Sequence, residues 1–178
     1  MRVRHLYQCV EDRGDTLCKP IICKADDAWL GEGFYFWDSE IDDAHWWGHA
    51  HYGDLYLIYQ SQYDYDSLDY LDLLGNTEHR KYFFTFAEAI KNKRNGAYTV
   101  GQTIELLKRI DKQFLTTYKA IRALPENLKS KTFHIYFEND KFFLSNRTRI
   151  QMCVIDTSFL IEGKFVQVFR SSDNIAVV

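Results

Sequence analysis

Four consecutive aromatic residues, Phe34-Tyr35-Phe36-Trp37, sit between Gly31-Glu32-Gly33 and the acidic stretch Asp38-Ser39-Glu40-Ile41-Asp42-Asp43. No other segment constrains the fold as strongly. A continuous aromatic run has high strand preference, and the paired glycines let its backbone come close to a ligand. Asp38 or Ser39 then offers an N-cap, with Glu40, Asp42 and Asp43 in the first turn, where the helix dipole favours negative charge. Ile41, Ala44 and Gly48 share one face of that helix, which the pattern ends by Gly53. Trp46 falls 11 residues beyond Tyr35. A returning helix would bring the two rings together as a slot for a flat heteroaromatic ligand. Plain core packing of an aromatic-rich strand is the competing account.

Around this segment the pattern predicts strands at His5–Val10, Leu55–Tyr63, Thr132–Glu138, Lys141–Ser145, Arg149–Ile155 and Lys164–Phe169, with Pro20-Ile21-Ile22 a brief strand or turn. Asn139-Asp140 suits a two-residue hairpin loop. Two helices fall between. Tyr82, Phe83, Phe86, Ala87 and Ile90 form a stripe on the first. Thr99 and Gln102 fit a capping box for the second, along which Leu107, Ile110, Phe114, Tyr118 and Ile121 recur at helical spacing until Pro125. The order reads as an α+β single domain over residues 1–178, with its helices gathered in the middle.

The chain has 178 residues, 13 Phe, 12 Tyr and 4 Trp among them, and only 2 Pro, which points to an ordered core rather than low complexity. Its net charge of −3 hides an asymmetry: residues 1–75 carry 5 Lys/Arg against 15 Asp/Glu, and residues 76–178 carry 17 against 10. A uniformly basic nucleic-acid binder is excluded on that balance. A local basic face from Lys91, Lys93, Arg94, Lys108, Arg109 and Lys112 stays open, beside an ordinary solvated helix surface. The early residues lack the apolar core of a signal peptide, and no stretch approaches 18 consecutive apolar residues. The expectation is a cytoplasmic protein with no membrane partner.

His45 and His49 lie at i and i+4 on one helix face, the spacing of zinc proteases, but Trp46 stands where that motif needs its general-base Glu. His51 points about 200° away from His49, so a polar helix face is the simpler reading and no metal is assigned. Cys9, Cys18 and Cys23 have no zinc-knuckle spacing and read as buried or loop thiols.

Gly31-x-Gly33-Phe34-Tyr35-Phe36, then Asp38 and Ala44-x-Trp46, resembles the NAD-binding segment of ADP-ribosyltransferases of the diphtheria-toxin and poly(ADP-ribose) polymerase type. In that family a Gly-x-Gly-aromatic-Tyr-Phe strand leads into a helix with an Ala-x-Tyr step, and Trp46 occupies the place of the helix tyrosine. The resemblance implies that Tyr35 and Trp46 sandwich the nicotinamide ring. The family's first strand, Leu-Tyr/Trp-His-Gly, is matched by Leu6-Tyr7-Gln8-Cys9. This implies a ribose contact for Gln8 and backbone contacts from Cys9 and Gly33.

Its catalytic Glu opens a late strand, matched here by Gln151-Met152-Cys153-Val154-Ile155-Asp156. Gln151 thus stands at the catalytic position, where it can position a ribose hydroxyl but lacks the charge that stabilises an oxocarbenium-like state. Glu32 and Glu138 are candidate substitutes for that charge. The implied fold is an ADP-ribosyltransferase-like split β-sheet core with a helical insertion around 77–124. The implied function is NAD binding and transfer of ADP-ribose, weakened, to a protein or nucleic-acid acceptor, with a catalytically silent nucleotide-binding or interaction module as the alternative.

Overall fold

The computed structural model describes residues 1–14, 20–24, 28–53, 55–94, 98–125, 134–136, 143–145 and 149–174. Cys18, Glu138 and the Asn139-Asp140 turn lie outside them. Among the described residues the fold is α+β: an open eight-stranded sheet, a separate two-stranded pair and four helices. The strands are β1 (Val3–Glu11), β2 (Ile22–Cys23), β3 (Gly33–Asp38), β4 (Tyr56–Asp64), β5 (Tyr70–Asp72), β6 (Ala120–Ala123), β7 (His134–Tyr136), β8 (Phe143–Ser145), β9 (Gln151–Val154) and β10 (Val166–Arg170). The helices are α1 (Ile41–Tyr52), α2 (Thr77–Arg94), α3 (Val100–Ile110) and α4 (Phe114–Thr117).

The large sheet runs β10-β4-β1-β3-β9-β6-β5, with β2 added beside β3. All its pairs are antiparallel except β5 with β6. β7 and β8 pair antiparallel, His134 opposite Ser145, as the hairpin pattern predicts.

Strand alternation sorts the residues onto two faces. One face carries Tyr7, Cys9, Tyr35, Trp37, Ile58, Leu71, Ile121 and Cys153. Ala44, Ile41 and Trp47 of α1 cover its β1–β3–β4 part, while Phe83 of α2, Ile104 and Leu107 of α3 and Phe114 of α4 cover its β5–β6–β9 part. The other face carries Leu6, Phe36, Tyr63, Ala120, Met152 and Val154 under Phe159 and Leu160. The four-ring run therefore divides evenly: Tyr35 and Trp37 meet helices, Phe34 and Phe36 meet Phe165.

Two expectations are corrected. The helical block does not extend to residue 124. α3 ends at Ile110, Asp111 leaves helical geometry (φ −90, ψ 100), and Ile121 lies in β6, buried on both sides between β5 and β9. A short, wholly buried strand has no alternation to distinguish it from a helical stripe. Asp38 and Ser39 do not cap α1; the N-cap is Glu40, without a side-chain bond. Asp38 instead ends β3 with a fully buried side chain, accepting from Arg122 Nε at 2.7 Å, Tyr63 Oη at 3.0 Å and Ser39 Oγ at 3.0 Å. The capping box on α3 forms as the pattern requires, Thr99 and Gln102 exchanging bonds of 3.1 Å.

Candidate functional site

β1 and β3 pair only at Leu6↔Asp38 and Tyr7↔Trp37, then diverge, and β2 takes over the edge of β3. Gln8 fills the gap. Its Nε2 donates to the carbonyls of Ile21 (3.1 Å) and Tyr35 (3.2 Å), and its Oε1 accepts from the Ile21 N–H (2.8 Å). The side-chain amide thus stands in for a missing stretch of backbone ladder, and Gln8 is buried (4% exposed). The structure engages the amide expected to contact a ribose with the Ile21 and Tyr35 backbone. Cys9 lies beneath α1 with Tyr7, Trp37, Ala44 and Tyr56. Burial pushes its thiol up to about 12, so it is an inert core residue.

The glycines before the aromatic run approach the chain's own neighbours. A Cβ at Gly33 would stand 2.5 Å from Cys153 Sγ and 2.8 Å from the Val154 oxygen, so glycine is what allows β3 and β9 to close. Gly31 takes the left-handed region (φ +80) against α3. There Glu105 Oε1 accepts from the Glu32 N–H at 2.8 Å, and Lys108 Nζ reaches Glu105 at 2.7 Å and the Glu32 oxygen at 3.2 Å. Lys108 is thereby drawn out of the basic helical surface. The Glu32 carboxylate faces Lys24 at 3.5 Å.

Tyr35, Trp46 and Gln151 gather around Trp37. Tyr35 and Trp37 share a face of β3, and the register sets Gln151 opposite Trp37 and Cys153 opposite Tyr35. The Tyr35 hydroxyl accepts from the Leu30 N–H (2.7 Å) and donates to the Gly31 oxygen (2.8 Å). Burial, with Cys153 alongside, raises its pKa far above the ordinary phenol value. The ring packs with the cluster under α2 and α3. Trp46, on α1 and 38% exposed, stands edge-on to Trp37 at 6.1 Å, and the Arg149 guanidinium lies 3.3 Å from the Trp46 ring centre, 3.5 Å from the buried Asp43 carboxylate. Trp29 Nε1 donates to Gln151 Oε1 at 2.5 Å.

Three expected residues are therefore neighbours, but not in the expected geometry. Among the described residues no ring contact joins Tyr35 to Trp46; Trp37 meets Trp46 instead. Trp29, Trp37 and Arg149 complete the group and were not singled out from the sequence. Alternation from Tyr35 is the signal that would have found Trp37. For Trp29 and Arg149 there is no local signal, because each reaches Gln151 or Trp46 through chain folding.

The histidines of α1 form a hydrogen-bonded unit. His45 Nδ1 lies 2.9 Å and His49 Nε2 3.1 Å from the Tyr56 hydroxyl, while His51 stacks on Trp47 at 3.7 Å. Burial lowers the His45 pKa, His49 adding to and Asp42 opposing the shift. Among the described residues no three His, Cys, Asp or Glu side chains are grouped to hold a metal, and no helix is long and apolar enough to cross a membrane. Compared with known protein families, curated proteins and solved structures, the chain matches none of them.

Proposed function

We propose that this is an ADP-ribosyltransferase-like protein that binds NAD as its substrate on the β1–β3–β9 face beside α1, and transfers ADP-ribose, weakly, to a macromolecular acceptor. One observation carries the reading. The three segments of the resemblance, around residues 6–9, 31–38 and 151–156, are three adjacent strands in the middle of the sheet. Within them Gly33, Tyr35 and Gln151 share one face, and Trp46 stands on the helix covering it. Residues more than a hundred positions apart have no reason to meet in that order from composition alone.

The chemistry at Trp46 is consistent with this reading. A guanidinium already stacks on its face. The nicotinamide ring of NAD is likewise planar and cationic, and an aromatic face attracts such a group through its quadrupole. Transfer breaks the bond between the ribose C1′ and the nicotinamide nitrogen, the electron pair leaving with nicotinamide while an acceptor nucleophile adds to C1′ and gives up its proton. Gln151 supplies no full negative charge to that transition state, so slow turnover is expected.

A second reading, a catalytically silent nucleotide-binding module of the same fold, is favoured by Gln8. Its amide is fully occupied by Ile21 and Tyr35, so the first-strand motif has become structural. Calorimetric titration with NAD, alongside labelled NAD in cell extract, separates the readings. NAD binding with label transfer supports the enzyme, and binding without transfer or nicotinamide release supports the silent module. Absence of NAD binding overturns both. Trp46→Ala should weaken binding by about 2- to 12-fold, matching the ~0.5–1.5 kcal/mol of an aromatic stack.

A further inference from the structure

We propose that Trp29 is a positioning residue that fixes the Gln151 amide as a hydrogen-bond donor toward the bound dinucleotide, an inference that rests on the NAD-binding reading above. An indole N–H can only donate, so the Gln151 atom facing Trp29 Nε1 is the amide oxygen. The oxygen is thereby occupied, and the NH2 group is turned the other way. Among the described residues Gln151 Nε2 has no hydrogen-bond partner, and the residue is only half-buried at the start of β9. Trp29 is itself held, its ring packed against the cluster of Leu30, Ile104 and Cys153. The amide therefore has one favoured orientation, set from outside β9.

This orientation defines the ligand chemistry. Two N–H donors recognise an acceptor oxygen, such as a ribose hydroxyl or the nicotinamide carboxamide. They also present the positive end of a dipole to a centre that becomes positive when the nicotinamide–ribose bond breaks. The pair thus holds the dinucleotide while disfavouring its cleavage. The same indole N–H would hold one oxygen of a carboxylate at position 151 and leave the other facing the ribose. Gln151→Glu is then expected to release nicotinamide: the C1′–N bond breaks with its electron pair going to nicotinamide, and water adds to C1′ and gives up a proton.

The test uses the full chain, NAD titrated calorimetrically and nicotinamide measured by chromatography. Trp29→Phe keeps a flat apolar ring and removes the donor, so NAD affinity should fall about fivefold, the worth of one ordinary hydrogen bond. In a Gln151→Leu background the same substitution should change affinity less than twofold, because there is no amide left to orient; a purely structural role for Trp29 would lower affinity equally in both. Gln151→Glu should gain nicotinamide release, reduced at least fivefold by adding Trp29→Phe. Unchanged affinity in Trp29→Phe, or an equal loss in the Gln151→Leu background, overturns the inference while leaving the NAD reading intact. Failure of the parent chain to bind NAD overturns both. Should Trp29→Phe not fold, Gln151→Leu alone must lose the same fivefold for the inference to stand.

Discussion

Trp37 and Asp38 are adjacent in sequence, yet they belong to two faces of one sheet that are built on opposite principles. The Trp37 face is closed by helices and is largely apolar and aromatic. The Asp38 face holds a buried ionic network. Arg122 lies between Asp38 (2.7 Å) and Asp72 (3.3 Å), Arg4 approaches Asp38 at 3.7 Å, and both Arg4 and Arg122 face the Tyr65 ring at 3.8 and 5.6 Å. Burial pulls the Arg122 pKa down, but the bond to Asp38 and the charges of Asp38 and Asp72 raise it on balance, so the guanidinium stays charged. Helices can cover a strand wherever apolar residues alternate. An ionic network must instead be complete, because each member left alone is a buried charge. The first face rests on apolar packing, and the second joins β3, β5 and β6 through buried charges.

Three experiments would break or sharpen this contrast. The largest effect should come from Arg122→Met, which leaves the Asp38 carboxylate buried without its main partner. Urea denaturation should show a loss of about 3–5 kcal/mol, and adding Asp38→Asn should recover part of it. An undiminished midpoint in the single variant would mean the network contributes nothing.

On the helical face, Gly101→Ala should cost about 1–3 kcal/mol by the same measurement. Its new methyl would run into the Ala28 carbonyl oxygen and push α3 from the Gly31 loop. The smallest effect is on pH dependence. His45 is neutral-favouring in the fold, its pKa below the ordinary 6.5 chiefly because of burial. The unfolded chain therefore takes up a proton more readily, and stability present above pH 6.5 should decline as pH falls through 6.5 towards the lower folded value. His79 shifts in the same direction, burial outweighing Asp72. A melting temperature that follows pH less steeply in His45→Gln would assign part of the slope; an unchanged slope would remove His45 from it.

Much of the helical face was legible in the sequence because its signals are local. The Phe34–Trp37 strand, the Thr99 capping box and the Tyr82–Ile90 stripe are each set by spacing within a few residues. The ionic face was not. Asp38 carries every local mark of a helix cap, and distant partners, Arg122 84 positions away and Tyr63 25 away, explain why it is buried instead. Gln8 is similar: the resemblance implies a ribose contact for it, and its bonds to Ile21 and Tyr35 across the gap beside β2 depend on how distant segments meet. In the candidate site, Tyr35, Trp46 and Gln151 could be named from sequence, whereas the bond from Trp29 and the stack of Arg149 depend on how distant segments meet. β6 was missed because four buried residues carry no period.

The position of β9 in the sheet has a consequence for synthesis. It is the strand that joins β3 to β6, yet it comes from residues 151–154, near the end of the described chain. At about 5–20 residues per second on the ribosome, well over a hundred residues emerge after β3 before its partner does. For those seconds the aromatic run presents an unpaired edge of N–H and C=O groups, the arrangement on which strands from other chains add. Until β9 enters, that edge of β3 has no strand to pair with.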